Sequence, residues 1–333
     1  SAASDVYKRQ MVVGVLKTLI FPMAVFIIFV ILSDGRIASW RTVVTTLRQS
    51  VMPTLICLSL VINMTVGCMN FASGGVVLCA AIVGGNLANL TGMGLFGLIF
   101  WCLLVSLALT FLTGFLYNKM RVPALVLTIG LVLVFEAIPR VLFNGGVVIP
   151  NKITYLSRFP YCFIILVIMM GVFYILYNKT VFGHNLRSLG NNQEISINVG
   201  LDNDKIKFVS FAIGGIFLGM AAVLYVSTSG EVRNVTSLGS MTIMMDSFMG
   251  VFLANFLARY CNMTFAVYVG TFTMKLISNG FVAMGVPATV RDIMTGILLF
   301  VLLTMSANQG LFEQLRINKE QARIANEEYQ KSI

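Results

Sequence analysis

Few residues in this chain could carry covalent chemistry. Among 333 residues there is one histidine, His184, so neither a His-rich metal site nor a Ser-His-Asp triad finds its usual partners. No G-x-x-x-x-G-K-[ST] stretch is present to cradle a phosphate, and no G-x-S-x-G or H-E-x-x-H occurs. Six cysteines, Cys57, Cys68, Cys79, Cys102, Cys162 and Cys261, lie in or beside apolar runs without a C-x-x-C pair, which suits small core hydrophobes. What remains is non-covalent chemistry inside apolar segments. Glu136, Arg140, Asp246, Lys275, Arg291 and Asp292 are charges at or within such segments, and such charges mark solute paths or ion pairs. Glu136 and Arg140 stand four apart and can pair along a helix. Asn63, Asn70, Ser73, Asn86 and Asn89 gather around one glycine-interrupted run, and Ser278, Asn279 and Gly280 around another. Hydrogen bonds between helices or contacts with a polar solute would each use them.

The elements that must position these groups are membrane spans. Hydrophobic residues make up 58% of the chain and charged ones 11%, well below the roughly 25% of a soluble domain. The apolar residues fall in long runs, which excludes a soluble enzyme, a nucleic-acid-binding module and a disordered scaffold. An all-α integral membrane protein follows, with ten candidate spans at about 16–32, 51–68, 72–90, 95–117, 122–140, 162–178, 207–227, 241–258, 263–281 and 288–305. Gly74, Gly75, Gly84 and Gly85 are expected to break the third.

Lys and Arg number 23 against 13 Asp and Glu, a formal charge of +10. With the N-terminus inside, inner segments hold fourteen of the basic residues and outer segments eight, Lys275 being within a span. The positive-inside rule thus places both termini in the cytoplasm and needs no nucleic-acid partner. Residues 1–10, SAASDVYKRQ, read as a non-native or disordered leader. Residues 11–308 form the polytopic domain, and 309–333 a solvated cytoplasmic helical tail.

The inner loop at about 179–206 is the longest polar connection. Asn191, Asn192, Gln193 and Glu194, then Ile195, Ile197 and Val199, then Gly200, predict a short amphipathic helix capped by Asn and closed by Gly. A second pattern is weaker. Gly114-Phe115 before Val122-Pro123-Ala124 is echoed by Gly280-Phe281 before Val286-Pro287-Ala288, so spans 2–5 and 7–10 could be inverted repeats.

Four stretches, in order from about residue 50 to 305, resemble ribose-type, binding-protein-dependent ABC importer permeases. They are Gly67-Cys68-Met69-Asn70-Phe71-Ala72-Ser73-Gly74, Lys119-Met120-Arg121-Val122-Pro123-Ala124, the loop Gly190–Glu194 with Gly200-Leu201 and Lys205-Ile206-Lys207, and Asn279-Gly280 with Gly285-Val286. Asn70 stands where that family has an acidic residue, Ala254-Asn255 where it has two glycines, and Lys275 where it has small or apolar residues. The resemblance implies a permease subunit in a bacterial inner membrane, with no catalytic site, metal or cofactor of its own. ATP and Mg would sit on a separate cytoplasmic ABC ATPase, coupled through Asn191, Asn192, Gln193, Glu194 and Gly200. An extracytoplasmic solute-binding protein would meet loops 141–161 and 231–240, and a second permease copy or paralogue and membrane lipid would complete the surroundings. Asn70, Ser73, Asp246 and Asn279 are expected to line the path of a sugar or sugar-like solute. An ion-gradient-driven carrier and a non-transporting membrane scaffold are the alternatives.

Overall fold

A computed structural model of the chain describes residues 2–120, 122–150 and 154–308. It is helical almost throughout. The helices are α1 (Ala2–Leu32), α2 (Trp40–Thr65), α3 (Ser73–Thr91), α4 (Gly94–Met120), α5 (Ala124–Phe143), α6 (Tyr161–Asn178), α7 (Val181–Asn191), α8 (Gln193–Asn198), α9 (Asn203–Ser229), α10 (Met241–Leu257), α11 (Met263–Ala283) and α12 (Ala288–Ala307). Two compact units are present, Ser1–Met284 and Gly285–Ile333, the second containing α12. The expected C-terminal helix at 309–333 lies outside the described residues, as do Arg121, Lys152 and the side chain of Asp292.

Each expected span coincides with a helix. Among the described residues, seven helices, α1 from Gly14, α2, α3, α4, α5, α6 and α9, are long and apolar enough to cross a membrane. α10 is apolar but has 17 residues, and α11 carries Lys275 and Asn279 within its 21. Within the first unit α2, α3 and α9 are mostly buried, while α1, α4 and α6 show large apolar side chains outward, among them Ile20, Ile31, Phe96, Phe111, Val167 and Ile168. So broad an apolar exterior would aggregate in water and is stable in lipid.

The glycines of α3 do not break it, contrary to the sequence expectation. They let neighbours approach. A Cβ on Gly84 would stand 2.8 Å from the Cys102 backbone of α4, and one on Gly74 would stand 2.2 Å from the Ser240 carbonyl oxygen. The chain departs from helix earlier, at 66–72, where Gly67 takes φ +77° and ends α2. α9 nests on α4 in the same way through Gly215 and Gly219, with the Ser106 hydroxyl donating to the Gly215 carbonyl at 2.8 Å. Five of the six cysteines are buried and Cys261 is half-buried; all six are free thiols, as packing residues should be.

Loops 141–161 and 231–240 meet in a two-stranded antiparallel ribbon. β1 (Gly146–Val148) pairs with β2 (Glu231–Arg233) in the register Gly146 to Arg233, Val147 to Val232 and Val148 to Glu231. Val147 and Val232 are buried, and Val148 and Glu231 point out. Asn86 and Asn89 of α3 hold the ribbon, their amides donating to the carbonyls of Gly146 at 2.9 Å and Val148 at 2.8 Å.

Candidate functional site

At the end of the bundle where α2 begins, polar groups of α2, α10 and α11 form a graded track. The innermost pair is Thr54 of α2 and Thr271 of α11, hydroxyl to hydroxyl at 2.7 Å and both fully buried. Gly250 of α10 lies against Thr271, so the three helices are in close contact at this level. One turn further out, the Lys275 ammonium of α11 donates to the Asp246 carboxylate of α10. Their side chains are 21% and 28% exposed, so the pair is open on one side. One turn beyond, the Asn279 amide donates to Thr46 Oγ1 at 2.8 Å and to Gln49 Oε1 at 2.9 Å, and Gln49 is exposed. The track therefore runs from the exposed Gln49 and half-buried Asn279 amides, through a neutralised charge pair, to a buried hydroxyl pair.

Of the four predicted pathway residues, the structure places Asp246 and Asn279 on this track. Asn70 and Ser73 are elsewhere. Both are buried, and they build the turn that opens α3: the Asn70 carboxamide oxygen accepts from the Ala72 amide at 3.1 Å, and the Ser73 hydroxyl donates to the Asn70 carbonyl at 2.9 Å. That turn touches the track's scaffold through Phe71, whose ring lies 5.1 Å from that of Phe248, two residues after Asp246. Thr46, Gln49, Thr54 and Thr271 were missed by the sequence reading. A hydroxyl or amide in an apolar run looks alike whether it faces a partner helix or a backbone carbonyl.

Glu136 is not paired with Arg140. Its carboxylate instead accepts from the Ser240 amide at 2.8 Å, the Ser240 hydroxyl at 2.6 Å and the Leu238 amide at 3.2 Å. Its carbonyl accepts from the Asn234 amide group at 2.7 Å. The acid thereby fastens the 234–240 turn and the start of α10 to α5. A carboxylate at the beginning of a helix also meets the positive end of its dipole. Ser237 and Leu238 in that turn have φ of +59° and +67°, a region side-chain-bearing residues rarely occupy. Beside the turn, Arg140, Asn144, Glu231, Arg233 and Asn234 line an open polar pocket of about 690 Å³. There Glu231 lies 2.7 Å from the Arg233 guanidinium and raises its pKa further above the ordinary arginine value.

At the opposite end of α2 lies the predicted coupling segment. The Asn192 side chain caps α8, accepting from the Ile195 amide at 3.1 Å, and Gly200, at φ +91°, closes it in the left-handed region, as the sequence pattern requires. Asn191 ends α7, and Gln193 and Glu194 form the first turn of α8. All of these are exposed, as are Ile195 (60%), Ile197 (48%) and Val199 (78%). α7 was not anticipated. It buries Leu186 and Leu189 and brings Gly190 so close to α2 that a Cβ there would stand 2.1 Å from the Thr65 carbonyl oxygen. On the other side Asp202 caps α9, accepting from the Lys205 amide at 3.1 Å, a bond that holds its carboxyl below the usual range. α8 is thus a short apolar knob mounted between two fixed helices.

Residues 42–303 match the family described as branched-chain amino acid transport system / permease component. The autoinducer 2 import system permease protein LsrC of Photorhabdus luminescens is 24% identical over 310 residues, 89% of this chain and 92% of that protein. The protein of the same name from Photorhabdus laumondii is 23% identical, covering 84% and 86%, and that of Yersinia pseudotuberculosis 25% identical, covering 75% and 70%. No solved structure matches. The chain belongs to this family of transport permease components, and it is a multi-span membrane protein rather than an enzyme.

Proposed function

We propose that this family member is the membrane-spanning subunit of an ATP-driven importer for a sugar or sugar-like small polar solute in a bacterial inner membrane, with both termini cytoplasmic. The observation that carries the reading is α8. Three apolar side chains, Ile195, Ile197 and Val199, are held out at the polar end of the bundle by a capped helix between α7 and α9. Exposed apolar residues outside the lipid-facing belt call for a protein partner. A cytoplasmic ABC ATPase holding ATP and Mg is that partner, and Asn191, Asn192, Gln193, Glu194 and Gly200 present the contact. At the other face the ribbon and its polar pocket would receive an extracytoplasmic solute-binding protein. A second permease copy or paralogue would complete the pathway, with spans 2–5 and 7–10 as inverted repeats. Asp246 and Asn279 line that pathway, and Asn70 and Ser73 support it by shaping the turn against α10. The solute class follows the relatives, which are permease proteins of autoinducer 2 import systems.

One feature supports this reading over a gradient-driven carrier and another over a scaffold. Glu136 and Asp246 are both engaged in bonds within the protein, whereas proton or sodium coupling needs an acid that exchanges its partner during transport. A scaffold without transport has no use for an open charge pair in an apolar bundle.

The test is affinity purification of the tagged chain from its native membrane, followed by uptake measurements on the purified complex. The expected result is an ABC ATPase that co-purifies with the wild type and is lost from an Ile195→Asp/Val199→Asp variant. Glu194→Lys is expected to uncouple ATP hydrolysis from uptake while leaving the complex assembled. A wild-type preparation free of ATPase, or Glu194→Lys with full coupled transport, overturns the assignment. Uptake of leucine in place of pentoses and hexoses overturns the solute class.

A further inference from the structure

We propose that a groove between α1, α2 and α11 is a binding site for one acyl chain of a membrane phospholipid. The inference lies beyond the importer reading and does not depend on it. α1 meets the bundle closely at two levels. At one, a Cβ on Gly14 would stand 2.0 Å from the Tyr260 carbonyl oxygen; at the other, a Cβ on Gly280 of α11 would stand 2.3 Å from the Phe29 ring. Pro22 lies between those levels, and a proline inside a helix removes one backbone bond and favours a kink. At its level a groove of about 510 Å³ opens. Pro22 and Met23 form one wall, Val43 and Leu47 of α2 the other, and α11 the floor. The buried Ile37, packed with Phe29 and Leu276, forms one end. Of residues 265–276 on the floor helix, only Phe265, Tyr268, Phe272 and Lys275 are not buried, and the three aromatics all line the groove. They follow at helical spacing, so they make one continuous stripe that neither α1 nor α2 covers.

The occupant follows from chemistry and size. The groove is continuous with the lipid-facing exterior, because Leu19 and Met23 line it and are also 40% and 59% exposed on α1. Its lining is apolar but for Thr46 and Tyr268, and the Thr46 hydroxyl already donates to the Thr42 carbonyl and accepts from Asn279. Such a lining offers water too few partners and suits hydrocarbon. From Phe265 to Leu276 the helix rises about 16 Å, so the volume corresponds to a bore about 6 Å across. A helix with its side chains is about 10–12 Å wide and would need roughly 1,250 Å³ or more over that length, which excludes a span of a second copy. A single methylene chain, whose carbons meet their neighbours at about 3.5–4.0 Å, fits. Arg36 and Arg41 are exposed on either side of Ile37, with the exposed Trp40 beside them, and cations with an interfacial aromatic suit a phosphate headgroup.

The experiment places the full chain in phosphatidylcholine vesicles containing a trace of the same lipid with a diazirine in mid-chain, irradiates them, and maps the adducts by mass spectrometry. Wild type is expected to carry adducts on the 265–276 segment at a yield within about tenfold of those on the lipid-facing Ile168 segment of α6. Blocking the groove from either wall, with Val43→Phe or Met23→Trp, is expected to cut the α11 adducts at least fivefold and leave those on α6 unchanged. The α6 yield also reports assembly, so a variant that fails to assemble is recognised and the other is used; should neither assemble, the wild-type ratio decides. A wild-type α11 yield below a tenth of the α6 yield overturns the proposal. So does a fall of less than fivefold in every variant that assembles. If side chains of a second copy fill the groove instead, α11 stays unlabelled and Phe272→Cys cross-links between copies, which overturns it as well.

Discussion

Removal of the Glu136 carboxylate should loosen the start of α10 specifically. The acid accepts three hydrogen bonds, two from backbone amides of Leu238 and Ser240 and one from the Ser240 hydroxyl. The hydroxyl can rotate toward another acceptor, so the fixed loss in Glu136→Ala is the two amides. Bonds to a charged group are worth roughly 1.5–3 kcal/mol each, and the two share one acceptor, so about 3–5 kcal/mol is expected. Against this stands the left-handed backbone at Ser237 and Leu238, which costs of order 1–3 kcal/mol per residue and relaxes once the clamp is gone. The two quantities are comparable, so the turn should open locally while the bundle persists. Glu136→Gln keeps one acceptor oxygen without the charge and should lose about 1–2 kcal/mol. Hydrogen exchange of the 234–242 peptide in lipid nanodiscs reads the effect directly, since every 1.4 kcal/mol is a factor of ten in the opening equilibrium. The expected acceleration is at least about a hundredfold for Glu136→Ala and about tenfold for Glu136→Gln, with the α2–α9 peptides unchanged. Exchange of that peptide within threefold of wild type in Glu136→Ala refutes the clamp.

Other consequences follow from the same contacts. Gly84→Val forces a side chain into the Cys102 backbone and should cost at least ~2 kcal/mol, visible as a lower melting temperature in detergent, while Gly171→Ala, with nothing near the added methyl, should be neutral. Asn192→Ala removes the α8 cap and should cost about 1 kcal/mol of local helix stability, seen as faster exchange at Ile195 and weaker ATPase recovery. The Asp202 cap should respond to acid. Its carboxyl is lowered in the fold, so its contribution is complete above the unfolded value of about 4 and disappears as pH falls through the lower folded value. Protection of the Lys205 amide should therefore decline below pH 4 in wild type, and Asp202→Asn should remove that dependence.

How far the sequence could be read depends on which physical signal each feature leaves. Apolar runs of about 20 residues locate the ten helices that coincide with the expected spans, though not α7 or α8, because lipid admits few alternatives to a hydrogen-bonded helix. The α8 cap was legible because Asn192 and Gly200 do their work within a few residues of themselves. The β1–β2 ribbon was not, since its strands are three residues long and 85 positions separate Gly146 from Glu231. Gly74 and Gly84 misled for a related reason. A glycine that breaks a helix and one that admits a neighbour have the same sequence signature, and only the presence of Ser240 or Cys102 across the gap decides between them. Glu136 illustrates the same limit: helix spacing favoured Arg140, but two backbone amides and a hydroxyl a hundred residues away offer a better-matched set of donors.

α2 is the element that connects the two candidate sites. Thr46 and Thr54 stand on the polar track, and the Thr65 carbonyl abuts Gly190 of α7, which carries α8. From Thr46 to Thr65 is 19 residues, about 28 Å of helix. Pro53 lies between them, next to Thr54, and its missing amide leaves one backbone bond of α2 unmade. A coupling reading requires some rigid body that touches both the helix carrying the knob and the track, with a place where it can bend. α2 meets both conditions through α7 and Pro53. At Gly190 the contact is backbone against backbone, so a shift of α7 has no compressible side chain to absorb it before it reaches α2. At the other end the Thr46–Asn279 bond ties α2 to α11, the helix that carries Lys275, so a change in α2's bend at Pro53 alters the spacing on which the charge pair depends.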